Sequence, residues 1–195
     1  NNTDLRTSGW ELSIGWNDRL NNGFTYGAKF NVSDARTKIT RYPNNPTKAV
    51  STYIEGRYTN EIWGYTTVGL AKTDEEMQAH LATMPNGGQS ALGSDWKAGD
   101  IMYADINGDG KISGGSGTLN DTEHWTVIGN TTPRYLFGLD LNASWKGFDL
   151  RMFFQGVMKR DFWQGSTYLF GASNSGMWHA TGIESVSDYF RNDDT

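Results

Sequence analysis

Apolar residues occupy every second position in two long stretches of this chain. In Arg134 to Met158, RYLFGLDLNASWKGFDLRMFFQGVM, one face of an extended segment collects Tyr135, Phe137, Leu139, Leu141, Ala143 and Trp145. The other face carries Leu136, Gly138, Asp140, Asn142 and Ser144, of which Leu136 is the one large apolar member. After Lys146-Gly147 the pattern resumes. Phe148, Leu150, Met152, Phe154 and Met158 are set against Asp149, Arg151, Phe153, Gln155 and Val157. A period of two with unlike faces predicts strands over 135–145 and 148–158, joined by a tight turn. Each strand has 11 residues, close to the roughly 9–11 that a tilted strand needs to cross a bilayer.

The same design recurs near the start. Residues 1–9 are polar and read as the tail of a loop. Trp10, Leu12, Ile14 and Trp16 then share one side, and Phe24, Tyr26, Ala28, Phe30 and Val32 oppose Thr25, Gly27, Lys29 and Asn31. Strands are predicted over 10–17 and 24–33, separated by the Asn- and Gly-rich turn Asn17–Gly23. Trp and Tyr cluster near strand ends, as in an interfacial aromatic girdle.

Between the hairpins the pattern changes. Lys72–Leu81 predicts a helix with Thr73 or Asp74 as N-cap and acids in its first turn, where the helix dipole favours them. Residues 62–70 predict a short strand, Pro85–Gly88 a break, and Ser113–Asn120 a Gly/Ser/Asn loop. A connection of about 100 residues is too long for a bare loop and must carry a small fold of its own. Parity orders these pieces. If the four strands cross a membrane in turn, both short turns lie on one side and all three long segments on the other, the asymmetry of outer-membrane barrels. The chain therefore divides into a barrel hairpin (1–33), an extracellular loop region (34–134), a second barrel hairpin (135–158) and a further extracellular loop (159–195). The fold class is all-β: a partial transmembrane antiparallel β-barrel with a large extracellular region containing a short helix and strand.

Composition agrees with β structure rich in turns: hydrophobic content is 36%, aromatics are 13%, and there are 24 glycines against 4 prolines. A net charge of −5 and the lack of any Lys/Arg run argue against a nucleic-acid partner. The chain has no cysteine, which excludes disulfides, thiolate metal sites and cysteine nucleophiles. No apolar run approaches the roughly 20 residues of a membrane helix, a test that leaves barrels untouched. The start at Asn1 without a signal peptide and the end at Asp193-Asp194-Thr195 predict a segment of a longer protein.

The sharpest chemical motif is Asp105-Ile106-Asn107-Gly108-Asp109-Gly110-Lys111. It follows the opening of a calcium loop: oxygen side chains at Asp105, Asn107 and Asp109, a Gly for the sharp turn, then the Lys111 carbonyl. Position 12 falls on Ser116, where a bidentate acid is expected, so Asp121 or Glu123 would close the site from beyond the Gly/Ser run. The reading is a structural Ca²⁺ held by Asp105, Asn107, Asp109, Lys111 and Asp121; the bland alternative is a solvated Asx/Gly turn. His80, His124 and His179 lack metal-ligand spacing and are expected as surface or loop residues. No nucleophile elbow, P-loop or dinucleotide fingerprint is present, so an enzyme is not expected. Trp63, Tyr65, Trp96, Trp125, Trp163, Tyr168 and Trp178 fall in the outer segments, where they either stack sugars or pack the loop region's own core.

With these residues in view, the chain resembles the C-terminal part of a SusC/RagA-type TonB-dependent outer-membrane transporter. The resemblance rests on an ordered series over roughly residues 9–165: Gly9-Trp10-Glu11, Glu55-Gly56, Trp63-Gly64-Tyr65, Gly69-Leu70, Gly99–Tyr103, Asp105–Gly110, Val127–Asn130, Pro133-Arg134-Tyr135, Gly138–Leu141, Trp145–Leu150 and Phe153–Gly156. It implies a plugged barrel of about 22 strands, nutrient uptake of oligosaccharides or peptides driven through TonB, a SusD-like surface lipoprotein as lid, and residence in the outer membrane among its lipids. The plug and the TonB-contacting segment would lie in parts of the protein outside this chain. The competing reading is a soluble, calcium-stabilised β-rich binding module whose strands form a sandwich core. The two differ on whether Phe137, Leu139, Leu141, Leu150, Met152 and Phe154 face lipid or a second sheet.

Overall fold

A computed structural model of the chain describes residues 2–164. Tyr168, Trp178, His179 and most of the 159–195 segment lie outside the described residues. The elements run β1 (Asp4–Arg19), β2 (Thr25–Arg41), β3 (Glu61–Tyr65), β4 (Thr67–Leu70), α1 (Asp74–Ala82), β5 (Ile101–Tyr103), β6 (Trp125–Asn130), β7 (Arg134–Trp145) and β8 (Phe148–Lys159). Among the described residues the regular structure is β apart from one helix of nine residues. No helix of the described residues is long and apolar enough to cross a membrane.

The chain forms two units. The first comprises residues 2–48, Thr52–Glu61 and Gly129–Phe162. It is built on an antiparallel four-stranded sheet of order β1-β2-β7-β8. Both predicted hairpins are present, and β2 pairs with β7 although about ninety residues separate them in sequence. The β7–β8 turn falls on Lys146 (φ 48°) and Gly147 (φ 86°), the two positive dihedrals that a type I′ turn requires. The first hairpin closes through the Leu20 amide on the Phe24 carbonyl at 2.8 Å, with Gly23 at φ 85°.

Alternation found β7 and β8 to within a residue at each end but underestimated β1 and β2. Residues 4–9, read as loop, are strand and pair with Ala35–Arg41. Both faces of that extension are largely polar, so no two-sided pattern marked it. What holds it is the backbone ladder, with the Thr7 and Thr37 hydroxyls 2.8 Å apart across it.

The second unit comprises Ala49–Ser51, Ile62–Ile128 and 163–164. The single strand expected over 62–70 is two strands, β3 and β4, and they enter different two-stranded sheets: β3 with β6, β4 with β5. β5 and β6 have three and six residues, too short for alternation to register. The helix is capped by Thr73, whose hydroxyl accepts from the Glu76 amide at 3.2 Å, while the Glu76 carboxylate accepts from the Lys72 amide at 2.7 Å. Its buried residue Met77 meets Ala71 and Met102, with Leu81 and Trp96 packed around them. Gln89, fully buried, ties this small core together. It donates to the Ile101 carbonyl at 3.0 Å and accepts from the Tyr103 amide at 2.7 Å.

Candidate functional site

The register of the four-stranded sheet aligns its apolar residues into rows. Leu12, Val32, Phe137 and Gly156 stand side by side; next come Ile14, Phe30, Leu139 and Phe154, then Trp16, Ala28, Leu141 and Met152. This face carries no protein layer of the described residues. On the outer strands Leu12, Ile14, Trp16, Leu150, Met152 and Phe154 are 41–64% exposed. Of the inner residues Val32 is buried, and Phe30, Leu139 and Leu141 are half-buried between their neighbours within the sheet. A sheet of an ordinary domain buries one face against another layer. Here the apolar band is open.

The opposite face is polar and also uncovered. Asp140 receives both Nε and Nη2 of Arg151, and Lys29 stands directly opposite it in the register. Asn17, Asn31, Asn142 and Gln155 are exposed on the same side. Gly27 separates two of these amides: a Cβ there would come 2.1 Å from Asn17 Oδ1 and 2.8 Å from Asn142 Nδ2. Leu136, Phe153 and Val157 interrupt the polarity as exposed apolar residues. Among the described residues β1 and β8 each pair on one side only, so the sheet is open at both edges.

The second site lies in the second unit, where the Asp105–Lys111 segment folds as a run of Asx turns. Asp105 accepts from the Gly108 amide at 2.7 Å and the Gly110 amide at 2.8 Å. Asn107 Oδ1 accepts from the Asp109 amide, and Asp109 Oδ1 from the Lys111 amide, each at 3.0 Å. Gly108 and Gly110 take φ of 75° and 81°, backbone that a Cβ disfavours. From beyond the Gly/Ser run, Glu123 reaches the loop and accepts from Asn107 Nδ2 at 3.2 Å. The Asp121 carboxylate instead accepts from the Ser116 amide at 2.9 Å.

His124 completes the cluster. Its side chain is wholly buried, contrary to the expectation of a surface residue, with Nε2 3.1 Å from Asp105 Oδ1. The Ser113 amide donates to Nδ1 at 3.3 Å, so Nδ1 is unprotonated and Nε2 carries the proton toward Asp105. Asp105, Asp109 and His124 bring one donor atom each within 4.8 Å of one another. With both ring nitrogens engaged, His124 acts here as a support for Asp105, and the hard oxygens of Asp105, Asn107, Asp109 and Glu123 are the groups that suit an oxygen-seeking cation. Burial would by itself raise the Asp105 pKa. The His124 side chain and the Gly110 and Gly108 amides together hold it below the ordinary carboxylate value.

The outer aromatics mostly pack their own unit. Tyr65 meets Tyr103 and Trp125 edge-on with ring centres 5.5 and 5.9 Å apart, and Trp96 meets Tyr103 at 6.5 Å. Trp163 is exposed. Sequence reasoning passed over Gln89 and the placement of His124. Neither carries a periodic signal, because each is fixed by partners 9–19 residues away.

No protein-family profile matches the chain. Among curated proteins it is similar to TonB-dependent receptor P3 of Formosa agariphila, at 26% identity over 78% of this chain. The chain spans about 15% of that relative's length. Over most of its residues, then, this chain is similar to part of a TonB-dependent receptor.

Proposed function

We propose that this chain forms part of the wall and outer loops of a TonB-dependent outer-membrane transporter of the SusC/RagA type. The observation that carries the reading is the four-stranded sheet, apolar on one open face, polar on the other, and unpaired at both edges. Lipid accounts for the first face, a water-filled or plugged lumen for the second, and neighbouring strands of a closed barrel for the edges. Similarity to a TonB-dependent receptor supports the same assignment. A sandwich would cover the band with a second sheet, and the described residues supply none.

On this reading the protein performs uptake and no catalysis. Its cargo is an oligosaccharide or peptide, its energy comes through TonB at a segment outside this chain, and a SusD-like surface lipoprotein covers its mouth. The acidic loop binds a structural Ca²⁺ through Asp105, Asn107, Asp109 and the Lys111 carbonyl, with Glu123 or Asp121 closing the site.

Two experiments test these assignments in the full-length protein. Spin labels placed singly at Leu139, Met152 and Phe154 are expected to meet membrane-dissolved oxygen, and labels at Asn31 and Gln155 a water-soluble relaxant. Equal exposure of both sets to water would overturn the barrel. Calorimetric titration with Ca²⁺ is expected to show binding that Asp105→Ala with Asp109→Ala abolishes; no heat from the native protein would remove the metal.

A further inference from the structure

The outward face of the sheet continues past the apolar band. One row beyond Trp10 and Asp34, Ser8 stands opposite Arg36, and in the next row Arg6 lies directly opposite Lys38. The register is unbroken from Leu5 to Arg19, so these side chains keep the face of Leu12 and Ile14. Arg6, Arg36 and Lys38 are all exposed.

Two cations directly opposite each other across a ladder repel and destabilise it. Among the described residues none of the three is in an ion pair, although the Asp34 carboxylate attracts Arg36 from a distance. Asp4, two positions along β1, is in no ion pair, and Asp34 is already held by both Nε and Nη2 of Arg134. Arg36 instead lies over the Tyr58 ring, 3.8 Å from its centre, which fixes its guanidinium without cancelling its charge.

The position of this cluster is informative. Arg6 is four residues beyond Trp10, roughly 13 Å along a strand, or about 10 Å of height at the ~40° tilt of a barrel strand. The headgroup layer is roughly 5–8 Å thick on each side of the hydrocarbon. Long Arg and Lys stems reach back over such a distance. Arg36, one row from Trp10 and Asp34, therefore falls within that layer, and Arg6 and Lys38 reach back into it from just beyond, at the end of the sheet opposite the short turns.

We propose that Arg6, Arg36 and Lys38 form a binding site for the phosphorylated headgroup of an outer-leaflet lipid. Two guanidinium forks and one ammonium can surround a phosphate, arginine giving paired hydrogen bonds and lysine a point charge. The lipid's acyl chains then lie along Leu12 and Ile14, which are exposed. The anion relieves the repulsion between Arg6 and Lys38 that the bare sheet carries. The site rests on the barrel reading, because only a membrane places headgroups at this level.

The test uses the full-length protein in nanodiscs of phosphatidylcholine, with and without a minor share of phosphatidic acid, followed by native mass spectrometry of the lipid that remains bound. Native protein is expected to retain phosphatidic acid in preference to phosphatidylcholine. Arg6→Gln with Lys38→Gln is expected to lower that preference by about fivefold per cation removed, whereas Lys146→Gln at the opposite end leaves it unchanged. Equal retention of the two lipids, or an unaltered preference in the double variant, would overturn the proposal while the barrel stands. Displacement of the lipid by millimolar inorganic phosphate would assign the site to free anions and overturn it equally. Failure of the native protein to enter nanodiscs of either composition would remove the barrel and this site together.

Discussion

His124 shows how one residue sets the state of another. Its buried ring, held by Ser113 at Nδ1, presents a proton to Asp105, and with two backbone amides it keeps that carboxyl ionised below its ordinary range. A depressed carboxyl contributes stability above its unfolded value, about 3.9, and loses it as pH falls through the folded value. The loop is therefore expected to keep its geometry down to about pH 4 and to open only below that. Hydrogen exchange at the Gly108 and Gly110 amides measures this directly. Protection lost already between pH 6 and 5 would show that Asp105 does not hold the turn. The oxygen-rich motif was legible because its residues are contiguous, while His124, 19 residues from Asp105, was not.

At the scale of the element, each strand of the sheet has two environments separated by a single residue step. Leu139 sits in the middle row of the apolar band, between Phe30 and Phe154. Asn31 lies one position from Phe30 on the polar face. Arginine at a lipid-facing midplane site costs ~2–4 kcal/mol, and little on a lumen face. On the proposed barrel reading, Leu139→Arg is accordingly expected to impair barrel assembly, and Asn31→Arg to leave it near native. Heat-modifiable gel mobility of the full-length protein distinguishes folded from unfolded barrel; equal behaviour of the two variants would contradict the facing assigned to β2 and β7. The helix offers a contrast. Thr73 accepts from the Glu76 amide and Glu76 from the Lys72 amide, so its start was written locally, while its packing rests on Met77 with Leu81 beside it.

At the scale of the whole molecule, the described residues of the first unit leave both edges of the sheet open and most of its apolar band exposed. Long unpaired edges and large apolar patches drive association in water. The 195-residue chain, produced by itself, is expected to aggregate without detergent, as read by sedimentation velocity. A monodisperse, detergent-free monomer would favour the soluble binding module and end the barrel reading.

The sequence by itself determined β7, β8, their turn and the parts of β1 and β2 next to the first turn, because alternation and the Lys146-Gly147 pair act over two to ten residues; the outer lengths of β1 and β2 it did not show. It also determined the helix cap and the oxygen-rich loop, whose groups are near neighbours. Tertiary structure decided the rest. Pairing of β2 with β7 across the long insertion turned two hairpins into one sheet, and the register that this pairing fixes gathered separate apolar faces into a single band. The split of residues 61–70 between two sheets, the burial of Gln89 and His124, and the opposition of Arg6 to Lys38 depend on partners distant in the chain. No local pattern encodes them, because a backbone ladder accepts almost any side chain until its neighbour arrives.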